Sequence, residues 1–278
     1  MRDLEDLFSL KERLFIVTGG AGLLGSVFVE ALIKAGALVA VMDADQDAID
    51  KLKSRLVKSQ QFLKTICCDI CNPAQVNIAI KDIEEFGQIY GLVNSAAVDP
   101  KVAAGGVIGE PPQDSPDFGT YSVDSWRKSL EVNLTGAFIV TQAVCRVLEK
   151  NKEPHGSIVN ISSTYGVIGP DQRIYPDVAG ERQTKPLDYS VTKAGLLGFT
   201  KALAAYYRDT KLRVNALTPG GAFDNQDALF VENYAARTIL GRMAQPNEYA
   251  GAIIFLCSDA SSYMTGSNLI VDGGWTAL

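Results

Sequence analysis

The 278-residue sequence carries one histidine, His155, and that scarcity narrows the chemistry at once. A structural zinc usually takes four ligands, and catalytic metals favour clusters of Asp, Glu and His. No such cluster stands out. The five cysteines, Cys67, Cys68, Cys71, Cys145 and Cys257, contain one Cys-x-x-Cys, from Cys68 to Cys71, and no second pair to complete a zinc site. They read as reduced thiols in or beside a buried strand. No apolar run approaches the roughly eighteen residues that a membrane-spanning helix needs. The start, from Met1 to Asp6, is acidic and lacks the basic-then-apolar order of a secretion signal. A cytoplasmic protein is expected. An excess of basic charge is missing too. Lys and Arg number 26 against 32 Asp and Glu, for a net charge of −6, which argues against a general nucleic-acid binder. Repeats, low-complexity tracts and linkers are absent, so residues 1–278 are read as one domain. With 47% apolar and 21% charged residues, the composition is that of an ordinary globular chain.

What is present is an alternation. Short apolar runs at Leu14–Thr18, Leu38–Met42, Phe62–Cys68, Tyr90–Asn94, Ser157–Ile161, Leu212–Leu217 and Asn268–Val271 are separated by helical stretches, the first from about Leu23 to Ala35. The runs are apolar throughout rather than alternating, which predicts a parallel sheet covered on both faces. The βαβ repetition predicts a doubly wound α/β sheet, a Rossmann fold. Two long loops interrupt it, near 98–121 (with Gly105-Gly106 and Pro111-Pro112) and near 164–186. Both follow carboxyl ends of strands, the side on which open α/β sheets bind ligands.

Thr18-Gly-Gly-Ala-Gly-Leu-Leu-Gly25 joins the first strand to the first helix. Glycines there permit a tight turn and close approach of backbone to a pyrophosphate, and the helix N-terminus favours the anion. Asp43 ends the second strand, 24 positions after Gly19. Its carboxylate can accept from the adenosine ribose hydroxyls and would repel a 2′-phosphate. Neither Gly20–Leu24 nor Ala44-Asp45-Gln46 contains Lys or Arg. NAD is therefore predicted over NADP. Asp43 also reads as a helix cap, and Asp69, after the third strand, reads either as an acceptor from the adenine amino group or as a cap.

Tyr189-Ser-Val-Thr-Lys193 places a phenol and an ammonium on one helical face. A phenol has an ordinary pKa near 10, so a base working near neutrality needs it lowered by about 3 units, or ~4 kcal/mol. Lys193 and an oxidised nicotinamide ring are suitable charges. Ser163, just past the fifth strand candidate, could hydrogen-bond a substrate oxygen. The second such pair, Tyr207 and Lys211, falls at the far end of the same helix and reads as structural. His155 precedes the fifth strand and reads as a loop residue away from the ligand edge.

Over nearly its whole length the chain resembles the short-chain dehydrogenase/reductase family. The resemblance rests on the glycine-rich segment 18–25, Asp69-Ile70, Asn94-Ser-Ala-Ala97, Asn133-Leu-Thr-Gly136, Ile161-Ser-Ser163, Tyr189-x-x-x-Lys193, Pro219-Gly220 and Val271-Asp-Gly-Gly274, several in family order. It implies that Tyr189 is the general acid/base. Lys193 lowers its pKa and holds the nicotinamide ribose, Ser163 orients the reacting oxygen, and Asn133 holds a water in the proton relay. The implied cofactor contacts are Gly19, Ala21, Gly22, Leu24, Gly25, Asp43, Asp69, Ile70, Asn94, Ala96, Tyr189, Lys193, Pro219, Gly220 and Ala222. Two alternatives stay open: Asn133 only kinks a helix, and Ser162 rather than Ser163 faces the substrate.

Two departures from the family pattern matter. Leu23 stands where single-domain members usually have glycine, and the spacing 19, 22, 25 looks more like extended, sugar-nucleotide-modifying members, although the ending resembles the single-domain group. Ser163 and Tyr189 are 26 positions apart, about twice the usual separation. The extra residues, around 169–185, include Asp171, Arg173, Asp177, Glu181, Arg182 and Lys185. A polar loop of this kind suits a hydroxyl-rich or anionic substrate, unless it is a solvated insertion without a substrate role. Four segments, 96–101, 163–166, 186–189 and 219–226, resemble a subgroup found with flagellin-modification and nonulosonic-acid sugar pathways. That subgroup implies a sugar or activated sugar as substrate.

The expected function is NAD-dependent hydride transfer with a secondary alcohol or ketone of a carbohydrate. A 3-oxoacyl or other simple carbonyl reductase and a non-catalytic nucleotide-binding sensor are the alternatives. From Val191 to Tyr206 the helix is apolar nearly all round, polar only at Thr192, Lys193, Thr200 and Lys201, so more than one side is covered. A homodimer or homotetramer is expected.

Overall fold

The computed structural model describes residues 3–99, 118–151, 154–177 and 183–278. Seven parallel strands form one sheet in the order β3-β2-β1-β4-β5-β6-β7. They are β1 (Leu14–Thr18), β2 (Leu38–Asp43), β3 (Leu63–Cys67), β4 (Ile89–Asn94), β5 (His155–Ile161), β6 (Lys211–Pro219) and β7 (Asn268–Val271). The order reverses between β1 and β4, and at such a switch point the carboxyl ends of the strands leave a crevice for a ligand.

The strand apolarity follows from this position. β1 is buried at all five residues, and β4, β5 and β6 are buried almost throughout. The edge strands β3 and β7 have no fully buried residue. Each predicted strand is present with its ends moved by at most two residues. His155 opens β5 rather than preceding it, and its ring packs edge-on to Tyr90 at 5.9 Å, at the amino end of the sheet.

Helices cover both faces. On one, α2 (Leu23–Lys34) and α9 (Ala250–Cys257) bury Phe28, Leu32, Ile253 and Leu256 with Leu52 of α3 (Gln46–Arg55). On the other, α4 (Pro73–Phe86) and α6 (Ala137–Leu148) bury Val76, Ile80, Ile83, Val140 and Val144, joined by Leu203 and Tyr207 from the end of α7 (Leu187–Tyr206) and its cap. The burial of this apolar area drives the layering. A buried polar chain crosses the second interface. Asn94 on β4 donates to Thr141 on α6 at 2.9 Å and to the Asn160 carbonyl on β5 at 2.8 Å. Asn160 in turn donates to Thr200 on α7 at 2.9 Å.

The loops read from sequence carry local structure. Short 3-10 turns lie at Phe118–Thr120, Thr164–Gly166 and Gln172–Ile174. Pro100 to Asp117, with Gly105-Gly106 and Pro111-Pro112, and residues 178–182, with Glu181 and Arg182, lie outside the described residues. Asp171 and Arg173 close on each other at 2.7 Å, and Arg237 approaches the same carboxylate at 3.3 Å. Asp177 is exposed. Tyr207 donates to Glu149 at 2.5 Å, and Lys211 opens β6 at the sheet's amino edge, so that pair is structural as read.

Candidate active site

The glycine-rich turn is built by contacts that a side chain would break. Gly19 has φ +60°, and a Cβ there would lie 2.6 Å from the Ala96 Cα. A Cβ on Gly25 would lie 2.0 Å from the Gly19 carbonyl oxygen. The first requirement lets the loop after β4 approach the loop after β1, and the second lets α2 begin against the turn. Thr18 accepts from the amides of Ser95 and Ala96, drawing the same two loops together. The N-cap of α2 is Gly22, which has no side chain to accept from the helix's first amides. Asp45, Asn72 and Asp227 fill that role at α3, α4 and α8 (Ala228–Ala235). Leu23 is 42% exposed as the first residue of α2, so its bulk is accommodated outside the turn, while Leu24 packs on the core.

Asp43 accepts from the Ala21 amide at 2.9 Å and from the Asp45 amide at 3.1 Å. Asp45, not Asp43, caps α3. Asp69 accepts from the Cys71 amide, whereas the cap of α4 is Asn72, so Asp69 is no helix cap. Ile70 is a core side chain, and a Cβ at Gly136 would meet it at 2.7 Å. The Asn94 carboxamide faces the interior, as described above. Pro219 ends β6. Beyond it, Gly220 accepts through its carbonyl from the Tyr249 hydroxyl at 2.9 Å, the Gly221 amide donates to Tyr234 at 2.5 Å, and Ala222 bridges to Ala244.

The tyrosine helix meets this rim from the other side. Lys193 donates to the carbonyl of Ile161, the last residue of β5, at 2.8 Å, and its Nζ lies 5.6 Å from the Tyr189 ring centre. Ser163 lies near enough to the Tyr189 hydroxyl to draw its pKa down, and its own oxygen accepts from the Tyr165 amide at 3.2 Å. Ser162 donates instead to the Lys193 carbonyl at 2.9 Å and is buried, so it packs β5 against α7 and Ser163 is the serine at the phenol. Asn133 lies in a π-helical turn, Glu131–Gly136, between α5 (Val123–Leu130) and α6. Its carboxamide accepts from the Val98 amide at 2.7 Å and donates to the Val98 carbonyl and to Thr192. Thr192 lies between Tyr189 and Lys193 on α7, so Asn133 couples the loop after β4 to the tyrosine helix.

Three residues that the sequence did not single out complete the arrangement. Asp188 is fully buried and accepts from the Tyr121 hydroxyl at 2.8 Å, from Ser129, and from the Tyr189 amide. An aspartate in a first helical turn is too common to signal this role. Asp99 pairs with Lys185, and the Lys185 ammonium sits 4.5 Å from the Tyr189 ring centre. Beside them, Tyr165, Ile174, Tyr234, Met243 and Trp275 form an apolar cluster, with Tyr234 stacked on Trp275 at 4.3 Å.

The electrostatics depart from the sequence expectation. Burial and the Asp99 carboxylate push the Tyr189 phenol above its ordinary pKa, against the lowering effect of Ser163. Burial brings Lys193 down to about 8, with Asp99 opposing and Lys185 reinforcing that shift. Desolvation therefore outweighs the cationic help expected from Lys193. The protein's own groups hold the phenol protonated, ready to donate.

Among the described residues no cluster of metal-ligating side chains occurs and no helix is long and apolar enough to cross a membrane. The family model described as enoyl-(acyl carrier protein) reductase matches residues 21–276. A sorbose reductase of Candida albicans is 32% identical over 276 residues, covering 98% of this chain and 89% of that protein. The post-translational flagellin modification protein A of Campylobacter coli is 28% identical, covering 96% and 99%. Among solved structures, a short-chain dehydrogenase from Leptospira borgpetersenii with bound NAD+ superposes with a TM-score of 0.81 at 32% identity, covering 99% of this chain and 96% of that one. A gluconate 5-dehydrogenase from Burkholderia cenocepacia, in complex with NADP and tartrate, superposes with a TM-score of 0.83 at 28% identity, covering 99% and 100%.

Proposed function

The chain belongs to the short-chain dehydrogenase/reductase family, and from that premise we propose that it moves hydride between NAD and a secondary alcohol or ketone of a carbohydrate. The observation that carries this reading is the placement of Tyr189, Ser163 and Lys193 at the same strand ends as the glycine turn, joined to it through Ala96, Val98 and Asn133.

The residues present fit a dinucleotide. Gly19 and Gly25 let the turn pack tightly against Ala96 and onto itself, where any Cβ would collide with backbone, and the first amides of α2 have no side-chain acceptor at Gly22. Gly19, Ala21, Gly22 and Leu24 would hold the pyrophosphate, favoured by the partial positive charge of the helix N-terminus. Asp43 would accept from the adenosine ribose. It already takes the Ala21 amide, so it couples turn and ribose and opposes a 2′-phosphate. Asp69 and Ile70 would border the adenine, with Asn94 and Ala96 along the adenosine. Pro219, Gly220 and Ala222 would cover the nicotinamide. Bound there, the dinucleotide supplies or accepts the hydride.

The rest of the chemistry belongs to the chain. Ser163 donates to the reacting oxygen and Tyr189 gives that oxygen its proton in reduction, or takes the alcohol proton in oxidation. Lys193, held at a fixed distance by Ile161, supplies positive charge beside the phenol and binds the ribose. Asn133 and Thr192 position α7, and a water on Asn133 would link Lys193 to solvent. The raised phenol favours the reducing direction. A carbohydrate is supported by the charged and phenolic groups around Tyr189, which offer hydroxyls more partners than an acyl chain would use. The outer face of α7 leaves Leu187 and Val191 exposed, with Phe138 of α6 nearby on the partly exposed Phe199, and a dimer or tetramer would cover them.

The test is a screen of sugars, polyols and oxoacyl thioesters, read by nicotinamide absorbance with each dinucleotide. Turnover of polyols or ketoses with NAD supports the proposal. Turnover of acyl compounds alone overturns the carbohydrate assignment.

A further inference from the structure

Tyr189 is held at both of its own peptide groups. Its amide, one of the first-turn donors of α7 that have no partner within the helix, donates to Oδ1 of Asp188 at 2.8 Å. Its carbonyl accepts from the Thr192 hydroxyl at 2.9 Å. Each of these holding side chains is bonded in turn to the neighbouring helical segment. Oδ2 of Asp188 accepts from Ser129 on α5, and from Tyr121 just before α5 at 2.8 Å. The Thr192 hydroxyl accepts from Asn133 in the π-helical turn at 3.1 Å. α5 and that turn follow one another without a break, so a single element grips the Tyr189 backbone on both sides. Asp188, Thr192, Ser129 and Asn133 are all buried.

A fully buried carboxylate is tolerated only where hydrogen bonds replace its lost water. Three donors converge on Asp188, one amide and two hydroxyls. They differ in what they demand. The amide can only donate, so an oxygen must face it. The hydroxyls rotate and can accept instead. An asparagine would fill the same volume, keep its oxygen on the Tyr189 amide and donate from its nitrogen to the two hydroxyls. An alanine would free the amide and cut the tie to α5. The other two groups at the phenol have anchors of their own: Lys193 donates to Ile161, and Ser163 accepts from the Tyr165 amide.

Resting on the hydride-transfer reading above, we infer that Asp188 is a positioning residue for the reaction. It touches neither substrate nor dinucleotide. Through the Tyr189 amide it fixes the first turn of α7 against α5, and so sets where the phenol meets the reacting oxygen. What the reaction needs from it is the acceptor oxygen and the shape, not the charge.

The experiment uses the full chain, saturating NAD(H) and the compound of the screen above that turns over fastest. Asp188→Ala should lower kcat about ten- to a hundredfold, the scale of a misplacement of about an ångström, with KM and the dinucleotide dissociation constant little changed. Asp188→Asn should restore most of the loss. A smaller population of folded enzyme would also lower kcat, so the variant is repeated in Tyr189→Phe with single-turnover detection. Asp188→Ala should add almost nothing there, because the group it positions is gone. Amide hydrogen exchange gives a reading without substrate: the Tyr189 amide should exchange at least about tenfold faster in Asp188→Ala and stay protected in Asp188→Asn. The inference is overturned if Asp188→Ala keeps its kcat, if the fall is as large in Tyr189→Phe, if Asp188→Asn falls as far as Asp188→Ala, or if exchange at Tyr189 is unchanged. Tyr189-dependent turnover that is indifferent to Asp188 would leave the hydride-transfer proposal standing while this inference falls. Absence of any Tyr189-dependent turnover would remove that proposal, and this inference with it.

Discussion

Lys193 donates to the carbonyl oxygen of Ile161 at 2.8 Å, so the ammonium on α7 is anchored to the last residue of β5. That bond sets where the charge sits relative to Tyr189 and makes the helix and the sheet edge one unit. Because the ammonium is buried, its pKa falls to about 8. Below that value it is charged, as the proposed contacts with the ribose and the phenol require, and above it the charge is lost.

A pH profile should follow that sign. Carbonyl reduction needs a protonated phenol and a charged Lys193. With Tyr189 raised and Lys193 near 8, kcat/KM for reduction stays flat through neutrality and falls along an alkaline limb near pH 8. Oxidation needs the phenol to accept a proton and gains relative to reduction as pH rises. In Lys193→Arg the alkaline limb moves upward. Steady-state rates in both directions at matched ionic strength check this.

Replacing Tyr189 by Phe removes the proton donor and leaves the ring between Lys185 and Lys193. Turnover should fall roughly a hundred- to ten-thousand-fold, with the dinucleotide dissociation constant unchanged. Full activity in Tyr189→Phe would move the acid elsewhere.

Asp43 holds the Ala21 amide, and the proposed function assigns it the adenosine ribose. Asp43→Ala should weaken NAD binding by about tenfold and bring NADP toward parity, since a hydrogen-bonded charge and a phosphate-repelling one are lost together. Fluorescence titration with both dinucleotides decides it. A native preference for NADP would contradict this role.

The Asn94–Asn160–Thr200 chain is buried throughout. Asn160→Ala strands a donor of Asn94 and removes the bond that Thr200 accepts, although Thr200 keeps its own bond to the Leu196 carbonyl, costing about 1–3 kcal/mol. Denaturant unfolding should show a lower midpoint with the slope preserved. No loss of stability would mean that water replaces the amide.

Cys67 is the exposed thiol, while burial raises Cys68 and Cys145 to about 11 and Cys71 and Cys257 to about 12. Thiolate, not thiol, is the nucleophile. Thiol labelling of the folded chain should therefore be fast at one site only, Cys67, and reach the other four on unfolding. Rapid labelling of Cys71 would show that its pocket opens.

Some of the site was open to reading along the chain because it depends on local spacing. Tyr189 and Lys193 share a face through the helical repeat, and the glycines at 19, 22 and 25 answer to one turn. Other features turn on contacts between distant segments. Ser162 and Ser163 are neighbours, and only the bond from Ser162 to Lys193 separates packing from chemistry. Lys185 was one charge among six in a polar insertion, and its meeting with Asp99, 86 positions away, leaves no periodic trace. The phenol's raised pKa was missed for a related reason, since the sequence shows the helpful charge but not the desolvation.

The sequence alone settled the parallel doubly wound sheet, because strands buried on both faces must be apolar throughout and helices must return between them. It settled the glycine turn as well, since the permissive backbone that such a turn demands is written in residue type. Tertiary structure decided which hydroxyl faces the phenol, which carboxylate anchors the tyrosine helix, and that a second ammonium sits over the ring. Those outcomes depend on through-space distance and on exclusion of water, and both exist only once remote segments have packed together.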